Sequence, residues 1–177
     1  MMILGIDASP STTGFALYDS VNSDFVYIGK VRTSICKKTP TSAMRRRYIC
    51  AELSHILMDY PIDEIVIEDV FINQLSSALP LSMLRGAIEQ TVFDLGYDRL
   101  HYYSASQVKK IVAGHGQASK EDMFQAIILR FKDSKVVHNA LGTELKSKNN
   151  KEKNEDMADA CGVAVSFSIS PDLAEIA

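Results

Sequence analysis

Four carboxylates stand where phosphodiester chemistry would need them. Asp7 closes the apolar run Ile3-Leu4-Gly5-Ile6 and opens into Ala8-Ser9-Pro10-Ser11-Thr12-Thr13-Gly14 before a second apolar run begins. Glu68 interrupts a second buried run, Ile65-Val66-Ile67. Asp156 and Asp159 are three residues apart, a spacing that sets both on one face of a helix. A carboxylate at the end of a buried run is costly without a partner, and four together would repel one another. Divalent cations relieve both penalties, and Mg²⁺ or Mn²⁺ prefer carboxylate and water oxygens. Two such ions about 3.5–4 Å apart hydrolyse phosphodiesters, one activating the attacking water and the other stabilising the leaving 3′ oxygen. Each acid also has an ordinary explanation. Asp7 would suit a turn, Glu68 and Asp69 a solvent-facing strand end, and Asp156 with Asp159 a helix N-terminus. The set carries the reading, not any single member.

The elements that must position these acids follow from periodicity. Residues 2–7, 13–18 and 25–32 read as strands with short connections, an antiparallel meander. A helix is expected over about 41–60, with Ile49, Leu53, Ile56, Leu57 and Tyr60 as one apolar stripe and Pro61 as its end. A strand over 65–71 carries Glu68, and a helix over about 77–95 has Pro80 in its first turn and Gly96 as its stop. A short strand at 100–103 precedes helices from Ser104 to Val112 and from about Ser119. Residues 133–153 are polar and lysine-rich, which predicts a mobile loop. The last helix, about 154–168, carries Asp156 and Asp159, and its Ala158, Ala160, Gly162 and Ala164 make it slim enough to approach a sheet closely. The pattern predicts one α/β domain over residues 1–177, a mixed sheet with helices on its faces. If the strands of Asp7 and Glu68 are neighbours, both acids meet near one edge.

Composition sets the frame. A chain of 177 residues, 46% hydrophobic, can bury a proper core. No signal peptide and no membrane span is expected. Cys36, Cys50 and Cys161 lack CxxC spacing, which predicts reduced thiols, a cytoplasmic protein and no zinc site. The net charge of −3 hides three basic blocks: Lys37, Lys38 and Arg45–Arg47; Lys109, Lys110 and Lys120; Lys146, Lys148, Lys151 and Lys153. Two dications on the four acids would turn the balance slightly positive, and blocks beside such a site suit a polyanionic substrate.

The same residues resemble the RuvC family of Holliday-junction resolvases, in the RNase H-like superfamily. The motifs run in order along most of the chain: Gly5-Ile6-Asp7 with Thr13-Gly14, Tyr27-Ile28-Gly29 with Arg32-Thr33, Ile67-Glu68-Asp69-Val70-Phe71, Ser77-Ala78-Leu79 with Arg85-Gly86, Ser106-Gln107-Val108-Lys109-Lys110 with Gly114-His115-Gly116, and Asp156-Met157-Ala158-Asp159-Ala160. The resemblance implies an RNase H-like five-stranded mixed sheet flanked by helices on both faces. It implies an endodeoxyribonuclease, a homodimer that binds four-way DNA junctions and nicks two opposing strands symmetrically, leaving 5′-phosphates and using two Mg²⁺ or Mn²⁺ ions. By that resemblance Asp7, Glu68, Asp156 and Asp159 are the metal ligands. Phe71 would stack on a base near the crossover. Lys109 and Lys120 would contact phosphate or transition-state charge, Lys120 counting among the catalytic groups, with Lys110 an accessory contact. The long helix would supply the dimer interface by that resemblance; Leu81, Leu84, Ile88, Val92 and Leu95 form a fitting stripe, although such a stripe is more often intramolecular core. Departures exist: Ala8-Ser9-Pro10 follows the first acid where the family has Pro-Gly-Ser, the loop before Asp156 is longer, and the tail is acidic. They leave room for a phage-type member acting on forks and flaps. Two other readings are a sugar-kinase or actin-like ATPase lobe, which would need a glycine at Ala8-Ser9, and a catalytically silent junction-binding module.

Overall fold

The sheet is organised around strand β1 (Met2–Asp7), which pairs antiparallel with β2 (Thr12–Asp19) on one side and parallel with β4 (Glu64–Asp69) on the other. The computed structural model describes residues 1–33, 41–69, 75–142 and 148–176, with backbone alone at 75–77 and 148–153. Strand β3 (Asp24–Arg32) lies antiparallel to β2, and β5 (His101–Ser104) lies parallel to β4. A two-residue strand β6 (Glu175–Ile176) adds antiparallel to β5, giving the order β3-β2-β1-β4-β5-β6. The expected five-stranded mixed sheet is therefore present with a sixth strand from the tail. Nothing in the tail's sequence forms a strand pattern; it pairs because the β5 edge offers unpaired backbone groups.

Side-chain alternation splits the core in two. Leu4, Ile6, Phe15, Leu17, Ile65 and Ile67 face α1 (Ser42–Asp59) and α2 (Leu75–Asp94), meeting Ile49, Leu53, Leu84 and Ile88. Ile3, Ala16, Tyr18, Val66 and Tyr103 face the other way. There they meet α4 (Lys120–Arg130), α5 (Lys135–Leu141) and α6 (Lys148–Ile169), with α3 (Ala105–Ala113) alongside. Helix α1 starts at Thr41, whose hydroxyl accepts from the Met44 N–H, and runs to its stop before Pro61 as expected.

Three expectations need correction. The stretch expected as a loop contains α5, capped by the Ser134 hydroxyl and held by the buried Val137 and Leu141, two anchors that a polar context conceals. Helix α6 begins at Lys148, before the predicted start at about residue 154. Helix α2 begins at Leu75, which sets Pro80 in its second turn and not its first, while its stripe is mostly core, as such stripes more often are: Leu84, Ile88 and Val92 are fully buried against the sheet.

Candidate active site

The register of the central strands places the first two acids side by side. Ile6 pairs with Ile67, so Asp7 and Glu68 follow as neighbours on parallel strands, and alternation turns both toward α6. Asp69, the next residue, points to the opposite face, where Arg85 of α2 pairs with it. The same guanidinium binds Glu89 at 2.9 Å and stacks 3.9 Å above the Tyr102 ring. Two consecutive carboxylates thus serve two different layers, one at the site and one in a structural cluster.

The paired acids arrive on α6 because two glycines let that helix rest on the backbone of β1 and β2. A Cβ at Gly5 would stand 2.6 Å from the Ala164 nitrogen, and one at Gly14 would collide with the Asp156 carbonyl and sit 3.2 Å from the Ala160 Cβ. Contacts under 3 Å essentially never occur at a real Cβ, so a larger residue at either seat would force the helix to shift. Ala158, Ala160 and Ala164 are fully buried, the small residues of the helix meeting the glycines of the sheet. Gly14 is the register partner of Asp7, so the closest approach of α6 falls beside the first acid.

Lys120 enters this cluster from the first turn of α4, which Ser119 and Asp122 fix through a reciprocal capping box. Its ammonium lies 3.4 Å from an Asp159 carboxylate oxygen and 3.8 Å from Glu155. Burial pushes the Asp7 carboxyl well above its ordinary range, and Glu68, Asp159 and Asp156 push it further, against Lys120. Glu68 is pushed up to about 7, first by burial and then by Asp159, against the positive charges of Lys109 and Lys120. Asp159 is raised by burial although Lys120 opposes the shift. Burial alone would lower the Lys120 ammonium, yet Asp159, Asp7 and Asp156 raise it.

The sequence-predicted residues therefore divide. Asp7, Glu68, Asp156, Asp159, Lys109 and Lys120 interact electrostatically around one point of the sheet. Lys110 is exposed and is not among the charges acting on these acids. Phe71 lies outside the described residues, as do Lys37, Lys38 and Lys146 and the side chains of Lys148, Lys151 and Lys153. Arg45, expected in a basic block, is used internally: its guanidinium donates to the Pro10 carbonyl and, at 3.1 Å, to the Thr33 hydroxyl, clamping the turn that follows Asp7. Sequence reasoning missed Glu155, the second partner of Lys120. It also missed Lys30, which donates to Asn154 at 3.1 Å and ties β3 to α6 just before the paired acids. Neither has a local sequence signal, because both contacts join elements far apart in the chain.

Among the described residues, no three His, Cys, Asp or Glu side chains form a ready-made metal-binding group. The donor chemistry nonetheless fits a hard cation: only carboxylate oxygens, with Asp7, Glu68 and Asp159 raised by burial and in part by neighbouring acids. The sign of these shifts has a measurable consequence. A carboxyl raised in the folded state binds protons more tightly there, so stability is greatest at low pH and falls as pH rises through the interval of the shift. For Glu68 that interval runs from 4.5 to about 7. The thermal midpoint in EDTA should fall between pH 5 and pH 8, and Mg²⁺ should raise it more at pH 8 than at pH 5. Calorimetry in the four conditions checks this, and equal Mg²⁺ effects at both values would contradict it.

Comparison with known proteins gives the context. The family profile described as Crossover junction endodeoxyribonuclease RuvC matches residues 3–167. A protein of that name from Trichlorobacter lovleyi is 35% identical over 126 residues, covering 70% of this chain and 68% of the relative. One from Caldicellulosiruptor saccharolyticus is 30% identical over 175 residues, covering 96% and 93%. Among solved structures, Thermus thermophilus RuvC in complex with Holliday junction substrate superimposes with a TM-score of 0.75 at 20% identity, covering 100% of this chain and 99% of that one. The fowlpox virus resolvase, solved with substrate Holliday junction DNA, gives 0.56 at 14% identity, covering 97% and 99%.

Proposed function

The chain belongs to the RuvC family of crossover junction endodeoxyribonucleases, and we propose that Asp7, Glu68, Asp156 and Asp159 form the centre at which it cuts DNA. It is a metal-dependent endodeoxyribonuclease that resolves Holliday junctions. The observation that carries the site assignment is the convergence of carboxylates from β1, β4 and α6 on one face of the sheet with Lys120 among them. Two Mg²⁺ or Mn²⁺ ions held by the four acids would supply an activated water and charge stabilisation at the leaving 3′ oxygen, leaving a 5′-phosphate. The chain's own groups do the remaining work. Gly5 and Gly14 seat α6 so that the acids from sheet and helix stand together. Lys120 keeps a positive charge beside Asp159, where a phosphate oxygen gains negative charge during displacement. Lys109 flanks Glu68, with Lys110 an outer contact for backbone phosphate. Phe71, three residues after Glu68, stacks on an unpaired base at the crossover. Membership of a nuclease family sets aside the ATPase lobe.

Residues 1–177 act as a single nuclease domain and pair as a homodimer through the outer face of α2. That face presents Leu79, Met83 and Phe93, exposed by 64%, 48% and 42%. Gly86 falls between them with open space around it. Their spacing of four, three and seven residues is that of a helix-pairing seam. A two-fold dimer matches two cuts in a two-fold substrate. Among the described residues no helix is long and apolar enough to cross a membrane, and the cytoplasm, where chromosomal or phage DNA recombines, is the compartment of action.

The test is a panel of four-way junction, three-way junction, flap and linear duplex with Mg²⁺ or Mn²⁺. Paired nicks in opposing strands of the four-way junction are expected. Equal cutting of forks and flaps would widen the substrate range to branched DNA in general, and an intact bound junction with both metals would leave only a silent binding module. Met83→Glu should sediment as a monomer of 19.6 kDa and lose the pairing of its nicks; an unchanged dimer would reject the α2 seam.

A further inference from the structure

We propose that a groove beside the carboxylates is a second phosphate-binding position for the substrate strand, with Arg32 as its cation; this rests on the nuclease reading above. The groove has a volume of about 410 Å³ and is lined by Ser11, Thr12, Arg32 and Thr33. Register fixes where it lies. Thr12 pairs with Arg32, and Asp7 pairs with Gly14. The Thr12–Arg32 pair is thus two residues of strand, about 7 Å, beyond the partner of Asp7. Alternation also fixes the side. Ile28 of β3 packs into the core under α6 while Val31 packs into the opposite one, so Arg32 shares the α6 face with Gly14 and Asp7.

The lining has the chemistry of a phosphodiester site. Arg32 is exposed, and among the described residues no carboxylate pairs with it. Ser11 and Thr12 add hydroxyls, and among the described residues no acid lines the groove. A planar guanidinium beside hydroxyl donors suits two oxygens of one phosphate. One wall is already rigid: the Thr33 hydroxyl donates to the Pro10 carbonyl at 2.7 Å, the Thr33 N–H donates to the Ser11 carbonyl at 2.8 Å, and Arg45 braces both. A fixed wall lowers the entropy lost when a flexible backbone docks.

The position also balances the field around the centre. Lys109 approaches from α3, which packs against β5 and β4, and Lys120 from α4 beside Asp159 of α6. Arg32 ends β3, at the far side of the strand order. A strand whose scissile phosphate lies over the carboxylates therefore meets positive charge on both flanks, which offsets the repulsion a cluster of acids exerts on DNA.

The experiment compares the full chain with Arg32→Gln and Arg32→Lys, binding a synthetic four-way junction in EDTA by fluorescence anisotropy across a salt series. Arg32→Gln should raise Kd about tenfold at 0.1 M salt and lower the slope of log affinity against log salt by about one, the signature of one lost phosphate contact. Arg32→Lys should restore the slope. With Mg²⁺ added, turnover at saturating junction should stay within about twofold of the unaltered protein, since Arg32 touches none of the four acids. An unchanged slope in Arg32→Gln overturns the proposal, and so does a fall in turnover without a change in slope. Nicking by the unaltered protein in the same samples reports the nuclease reading independently. If it nicks and Arg32→Gln binds normally, the groove assignment alone falls.

Discussion

Asp7→Asn should abolish junction cutting, by at least about a thousandfold, while making the metal-free protein more heat-stable at pH 8. Both effects have one cause. Asp7 is held well above its ordinary range by burial and by Glu68, Asp159 and Asp156, so its ionised form works against the fold. An amide of the same shape removes that penalty and also removes an anionic oxygen that a divalent cation requires. The loss of activity should exceed the 10–100-fold typical of mutating a group that only supports a metal ligand. The gain in stability should be a few degrees, at about 2–4 °C per kcal/mol for a chain of this size. It should vanish toward pH 3, where the native carboxyl is protonated as well. Mg²⁺ should protect the variant less than the unaltered protein. Junction affinity in EDTA should be unchanged or higher, because one negative charge is gone. Calorimetry with a nicking assay reads all of these together, and a variant that still cuts, or is less stable metal-free at pH 8, would contradict the assignment.

Gly14→Ala should be the most damaging single-methyl substitution outside the acids. The added Cβ has no room before the Asp156 carbonyl, and backbone cannot rotate aside as a side-chain tip can. Overpacking of this kind costs about 1–3 kcal/mol, so the thermal midpoint should drop by several degrees. Relief requires α6 to lift or slide, which carries Asp156 and Asp159 away from Asp7. A misplacement near 1 Å can cost about a hundredfold in rate, so cutting should fall by that order at temperatures where the variant remains fully folded. Gly5→Ala meets the helix further along, at Ala160 and Ala164, and should destabilise comparably with a smaller effect on rate. Full activity in folded Gly14→Ala would show that the seat beside Asp7 does not set the site's geometry.

The acids proposed as the site stand out in the sequence because their local patterns are strong. A charge ending or interrupting an apolar strand, and two acids at helical spacing amid alanines, are signals that need no tertiary information. The α/β alternation and the antiparallel start were legible for the same reason. What escaped was long-range or thinly anchored. Helix α5 rests on Val137 and Leu141 within a lysine-rich stretch, and β6 exists only because β5 has an open edge. Arg45 read as part of a basic surface block, yet it bridges Pro10 and Thr33, contacts that only the folded chain brings into reach. The apolar stripe of α2 was visible, but its assignment between core and interface depends on which neighbour the helix meets. Leu84, Ile88 and Val92 face the sheet, and the outward seam is a different set of residues.

The back-to-back orientation of Glu68 and Asp69 has a mechanical corollary. One peptide unit joins a carboxylate of the proposed reaction centre to one gripped by Arg85 of α2. Along this route, the side chain between α2 and the strand end that carries Glu68 is the guanidinium arm of Arg85. A substitution that removes this grip on Asp69, such as Arg85→Ala, should therefore be felt at Glu68 as well as in α2.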